Sequence, residues 1–119
     1  MNLARRKGIW AEKLVLKNYL QRGFNLVERN AICGFGEIDL VLSYDDILVF
    51  VEVRLLESCD FMHPVESINY RKLKVLRRAC NFYFTYHWQK DTDYTLEIAT
   101  VSGSVARPNV EIWPDALED

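Results

Sequence analysis

Gly36-Glu37-Ile38-Asp39-Leu40-Val41-Leu42, a polar turn, and then Val49-Phe50-Val51-Glu52-Val53-Arg54 decide how this chain folds. Both runs are apolar enough for core strands, yet each carries acids. Side chains of equal parity share a face of a strand. Glu37, Asp39 and Val41 are therefore expected on one face, with Ile38, Leu40 and Leu42 on the other. On the second run Phe50, Glu52 and Arg54 share a face opposite Val51, Val53 and Leu55. Tyr44-Asp45-Asp46 suits the connecting turn. A hairpin with its acidic faces together brings Asp39 close to Glu52. Two carboxylates on a half-buried surface repel, and burial raises the cost of ionising either. A hard divalent cation relieves this, because Mg²⁺ takes oxygen ligands and needs only one or two carboxylates besides water and substrate phosphate. A polar strand face turned to solvent accounts for the same pattern. Pattern alone leaves both readings open.

The chain of 119 residues is expected to form one domain, 1–119, with half its residues hydrophobic. No apolar run reaches the roughly 18 residues of a membrane span, and the basic start leads to Glu12-Lys13 without a signal-peptide apolar region. A cytoplasmic protein with no membrane partner is the expectation. Cys33, Cys59 and Cys80 are too scattered for a metal pair or a disulfide framework and read as small apolar packing residues. The net charge of −2 hides an alternation. Residues 1–30 hold seven Lys/Arg against two Asp/Glu, and 61–90 hold six against one. Residues 31–60 and 91–119 each hold one Lys/Arg against seven Asp/Glu. Basic helical segments thus alternate with acidic sheet segments. A metal-dependent nuclease needs acids for cations and bases for a phosphate backbone, although solvated, balanced faces give the same count.

Residues 3–21 read as a first helix with Ala11, Leu14, Val15 and Tyr19 inward, ended by Arg22-Gly23. Gly8 and Glu12 share a face. An interior glycine costs about 1 kcal/mol relative to alanine, which points to close approach of a phosphate or of the sheet. Phe24–Arg29 reads as a short strand, Asn30–Phe35 as a loop, and Gly34-Phe35-Gly36 as its turn. Pro64 and Glu66 can begin a second helix, clearer from Asn69 as N-cap. Leu73, Leu76, Cys80, Tyr83 and His87 form its apolar face. Arg71, Lys74 and Arg78, with Lys72 and Arg77 nearby, form a basic stripe, either a solvated surface or a track for a phosphate backbone. The aromatic run Phe82 to Trp88 reads as packing, and the isolated His63 and His87 carry no role. Tyr94–Val101 alternates as a strand, Ser102-Gly103-Ser104 turns, and Asn109–Trp113 is an edge strand between prolines. Asp115–Asp119 reads as a frayed tail.

Gly36-Glu37-Ile38-Asp39-Leu40 followed by Phe50-Val51-Glu52-Val53-Arg54 resembles the core of the PD-(D/E)xK nuclease superfamily, and most closely its YraN-like family of small bacterial proteins. Gly8 with Ala11-Glu12, Gly23-Phe24, Arg29-Asn30, and Pro64 through Arg77-Arg78-Ala79 extend the likeness along most of the chain. Glu97 matches a family aspartate near the second helix. The resemblance implies an α/β restriction-endonuclease-like αβββαβ core, a mixed sheet flanked by helices, which agrees with the order helix, three strands, helix, two strands. It implies a Mg²⁺ or Mn²⁺ site held by Asp39, Glu52 and the Val53 carbonyl, with Glu12 completing it directly or through water. Arg54 stands where the superfamily has lysine. Arginine keeps the charge and can hold phosphate in a fork, but it does not lose its proton. Arg54 is thus a charge stabiliser, and Arg71, Lys72, Lys74, Arg77 and Arg78 would hold nucleic acid. The implied function is hydrolysis of phosphodiester bonds, with DNA as partner. More distant likeness to archaeal Holliday-junction resolvases suggests branched DNA and a homodimer. The alternatives are a catalytically silent nucleic-acid-binding module, supported by Arg54, and a protein-interaction domain.

Overall fold

Two long apolar strands joined by two residues need a turn that matches their right-handed twist. Asp45 and Asp46 supply it, both with positive φ (49° and 67°), as a type I′ hairpin requires. The computed structural model describes residues 2–34, 36–56, 68–88, 90–114 and 116. In it α1 (Leu3–Gln21) precedes β1 (Asn25–Cys33), β2 (Gly36–Tyr44) and β3 (Ile47–Leu55). Next come α2 (Tyr70–Tyr83), a wider π turn over Phe84–Trp88, β4 (Tyr94–Gly103) and β5 (Pro108–Trp113). Pro64, Glu66, His63 and Cys59 lie outside the described residues.

The five strands form one sheet in the order β1-β2-β3-β4-β5. All neighbours are antiparallel except β3 and β4, which run parallel, with α2 in the connection between them. This is the mixed α/β sheet that the sequence implies, compatible with a restriction-endonuclease-like core. β5 lies on an edge, as its prolines require. The sheet carries an apolar layer on each face. Ala11, Val15 and Tyr19 of α1 pack with Leu40, Leu42, Val49, Val51, Ala99 and Val101. Leu73, Leu76, Ala79, Cys80 and Tyr83 of α2 pack with Val41, Phe50, Leu96 and Ile98. Cys33 and Cys80 are free thiols buried in the second layer.

Capping follows the local sequence. Asn2 Oδ1 accepts from Arg5 N at 2.8 Å, and Asn69 Oδ1 accepts from Lys72 N at 2.8 Å, so each helix begins on an asparagine. Gly23, at φ 92°, follows the end of α1. The β4–β5 turn depends on Gly103, which has φ 84° and lies so close to the Arg107 carbonyl that a Cβ would stand 2.5 Å from it.

Four expectations change. Residues Asn30–Cys33 are not a loop, because β1 runs on to Cys33. Asn30 turns left-handed inside the strand, at φ 51°, so the chain kinks without losing its ladder. Strict alternation on β2 also fails. Leu40 and Leu42 join the α1 layer, but Ile38 joins the α2 layer with Val41. The period of two breaks at Asp39, opposite the kink at Asn30. Gly8 has no sheet beside it, and a Cβ there would meet nothing within 4 Å. At the C-terminus Ala116 is buried and pinned rather than frayed. Its N–H donates to Leu96 O at 2.9 Å, and its carbonyl accepts from Arg77 Nε at 3.0 Å.

Open space at Gly8 gives the first prediction. Gly8→Ala should raise stability by about 0.5–1 kcal/mol, since only the helical penalty of glycine is removed. Urea denaturation checks this, and a loss of stability would show a packing constraint at that position.

Candidate metal and phosphate site

The site forms where β2 leaves β3. Their ladder pairs Tyr44 with Ile47 and continues to Leu40 with Val51, where it ends. The Val53 amide, further along β3, is taken instead by a side chain, with Val53 N donating to Asp39 Oδ2 at 2.8 Å. A hydrogen bond to a charged acceptor contributes about 1.5–3 kcal/mol. Asp39 therefore closes the sheet at the point of separation. The hairpin also brings Asp39 and Glu52 together, as the sequence implies, close enough for Asp39 to act on the Glu52 carboxyl.

Glu52 is 4 % exposed and faces the α2 side. Burial, then the hydrogen bond and negative charge of Asp39, push its carboxyl up to about 8. Lys72 and Arg54 oppose that rise, Lys72 more strongly. Lys72 Nζ lies 3.7 Å from Glu52 Oε2. Arg54 follows on β3, with its Nε buried. Val53 thus sits between the two key side chains of its strand, its amide already committed to Asp39.

Glu12 stands on the α1 side. The amide orientation that satisfies Asn30 places its Nδ2 3.0 Å from Glu12 Oε1 and 3.1 Å from Glu37 Oε1. Asn30 thereby links Glu12 of α1 to Glu37 of β2. Burial, Asp39 and Glu37 raise the Glu12 carboxyl above its ordinary range, and Arg29 opposes them. Glu12 therefore feels Asp39, but its nearest partner is Asn30. Among the described residues, no group of three or more His, Cys, Asp or Glu side chains forms a metal-holding set by itself. Two hard carboxylate oxygens remain at Asp39 and Glu52, a number that suits Mg²⁺ with its retained water. The buried Glu52 carboxyl facing the part-buried Asp39 carboxyl is the charge conflict that a divalent cation resolves.

The basic stripe divides. Arg71, Lys74 and Arg78 are exposed on α2. Lys72 reaches the carboxylates, and Arg77 holds the Ala116 carbonyl. Glu97 lies on the α1 face, accepting from Tyr19 Oη at 2.6 Å, and not near α2. The aromatic run is mostly packing: Tyr83 is buried, and Phe82, Phe84 and Trp88 lie against the α2 layer. Asn30 and the carboxylate contact of Lys72 are the features that sequence reading missed. An asparagine inside a strand is the signal for the first. A groove of about 560 Å³ lies elsewhere, between Arg6, Lys7 and Trp10 of α1 and Leu55, Leu56 and Val105, and the carboxylates do not line it.

The model of UPF0102, an uncharacterised protein family, matches residues 11–102. The chain belongs to this family. The matched span includes Glu12, Asp39, Glu52, Arg54 and all of α2. A UPF0102 protein of Syntrophomonas wolfei is 38 % identical over 79 residues, covering 66 % of this chain and 69 % of its own. One from Caldicellulosiruptor bescii is 32 % identical over 91 residues, 76 % of each chain. A UPF0102 protein of Legionella pneumophila is 31 % identical over 102 residues, 85 % of this chain and 86 % of its own. UPF0102 is the YraN-like family that the motifs resemble. No helix among the described residues is long and apolar enough to cross a membrane.

The charge conflict makes stability depend on pH. The Glu52 carboxyl ionises near 4.5 in the unfolded chain and near 8 in the folded one. The folded state thus binds the extra proton between these values, and stability falls as pH rises from about 4.5 to about 8. In EDTA, wild type should lose on the order of a few kcal/mol from this group across that window. Glu52→Gln should flatten the decline. Added Mg²⁺ at pH 8.5 should raise the melting temperature of wild type by several degrees (roughly 4 °C per kcal/mol) and leave Glu52→Gln unmoved. Parallel pH profiles for the two proteins would contradict the assignment.

Proposed function

We propose that this chain is a metal-dependent phosphodiesterase of the PD-(D/E)xK superfamily that acts on nucleic acid. The observation that carries this reading is the meeting of the buried Glu52 carboxyl with Asp39 where β2 and β3 part, with cations of β3 and α2 beside it. Asp39, Glu52 and the Val53 carbonyl would hold Mg²⁺ or Mn²⁺, which supplies a more acidic bound water and neutralises phosphate charge. Glu12 acts from outside that pair, through Asn30 or water. Asp39 is oriented by the Val53 amide, so one of its oxygens is fixed before any cation arrives. Arg54 stabilises negative charge that develops on the phosphate and takes no proton. Arg71, Lys74 and Arg78 project from α2 as contacts for a phosphate backbone.

DNA is the proposed partner, in the cytoplasm. Branched DNA and a homodimeric enzyme follow from the resolvase likeness alone. Arg54 supports a second reading, a silent binding module that retains the cradle without chemistry.

Cleavage of single-stranded, duplex and four-way-junction DNA with Mg²⁺ or Mn²⁺ separates the two. Wild type should cut at least one substrate, and Asp39→Ala and Glu52→Ala should each lose about 100-fold or more. Arg54→Lys should retain or raise the rate. Salt-dependent binding by wild type with no cutting on any substrate would favour the module. Cutting switched on by Arg54→Lys in that case would locate the silencing at residue 54.

A further inference from the structure

The buried acid of this site is paired with an exposed base. The Glu52 side chain is 5 % exposed and the Lys72 side chain 51 %. Glu52 is fixed in the middle strand of the sheet, next to Asp39. Lys72 sits in the first turn of α2, where its backbone N–H is held by the Asn69 cap. Its Cα is therefore anchored by the helix start, and its four-carbon stem is free to swing. The N–O separation of 3.7 Å is well beyond the roughly 2.7–2.9 Å of a charge-assisted hydrogen bond. This contact is a loose neutralisation and not a clamp. Arg54 is the other cation beside Glu52, but it is borne by the strand itself and its Nε is buried. Of these two charges, the more exposed is Lys72.

A cation bound by Asp39 and Glu52 would repel the Lys72 ammonium and take over its partner. The ammonium would then stand at the exposed mouth of the site, beside the first turn of α2. A phosphate held there carries the negative charge that replaces Glu52. We propose that Lys72 is a catalytic residue of this site: its ammonium neutralises Glu52 while no cation is bound and transfers to a non-bridging oxygen of the scissile phosphate when substrate and cation occupy the site. The inference rests on the phosphodiesterase reading and deepens it. No bond to Lys72 forms or breaks, and no proton leaves it. Its role is to stabilise the charge that grows on the phosphate as water adds and the ester oxygen departs. It thereby supplies an ammonium to a site whose strand offers only a guanidinium.

The competition can be read without cleavage. Mn²⁺ binding is measured by calorimetry at pH 8.5 and low salt for wild type, Lys72→Met, Lys72→Arg and Asp39→Asn, and cleavage is measured for the same four proteins. Displacement is reciprocal, so Lys72→Met should bind Mn²⁺ about fivefold tighter or more than wild type. Its kcat should fall at least about tenfold, with KM changed by less than about threefold. Lys72→Arg should recover part of kcat by keeping the charge. Mn²⁺ affinity and kcat both unchanged in Lys72→Met, with only the melting temperature lowered, would reduce Lys72 to a structural ion pair and overturn the inference while sparing the nuclease reading. Wild type binding Mn²⁺ no better than Asp39→Asn would overturn both.

Discussion

The hydrogen bond from the Val53 amide to the Asp39 carboxylate joins the fold to the site. A strand that leaves its neighbour exposes amides that water or a side chain must satisfy. Here the side chain that does so is an acid at the departing end of the ladder. The same bond lets β2 diverge, gives Asp39 a fixed direction and sets it against Glu52. The geometry that makes the sheet possible therefore makes the carboxyl pair unavoidable. Removal of Asp39 would affect two things at once, the satisfaction of a strand amide and the charge of the site. Stability must accordingly be measured beside activity in any variant at that position.

The two helices act on this centre from opposite faces. α1 brings Glu12 to the Asn30–Glu37 contact, and α2 brings Lys72 to Glu52. Asp39 lies where the alternation of β2 inverts, and its charge reaches both sides. Asp39 and Glu52 meet where β2 and β3 separate, and Arg71, Lys74 and Arg78 of α2 remain at the surface. The UPF0102 family match, residues 11–102, covers the positions of Glu12, Asn30, Glu37, Asp39, Glu52 and Lys72.

Much of this was legible in the sequence because it depended on local rules. The period of two in β3 placed Glu52 opposite Val51 and Val53, and its apolar neighbours could be read directly. The asparagine cap at Asn69 and the glycine after α1 marked helix ends. The Asp45-Asp46 turn set the hairpin and hence the meeting of Asp39 with Glu52. What remained hidden depended on departures from those rules. Asn30 reads as a strand breaker, yet a left-handed residue can kink a strand without ending it, and the alternation of β2 breaks opposite it. Lys72 is indistinguishable from its basic neighbours until the third dimension shows which face of α2 meets β3. Arg77 looks like another phosphate contact, but it holds the Ala116 carbonyl. A helical wheel cannot reveal a partner contributed by a distant segment.

The most direct test of the central claim is a crystal structure grown at pH 8.5 in Mn²⁺, with anomalous scattering used to locate the ion. The account requires a Mn²⁺ peak bonded to the Asp39 and Glu52 carboxylates, with the Val53 amide still donating to Asp39. Saturating Mn²⁺ with no peak there, and with Lys72 still against Glu52, would contradict it.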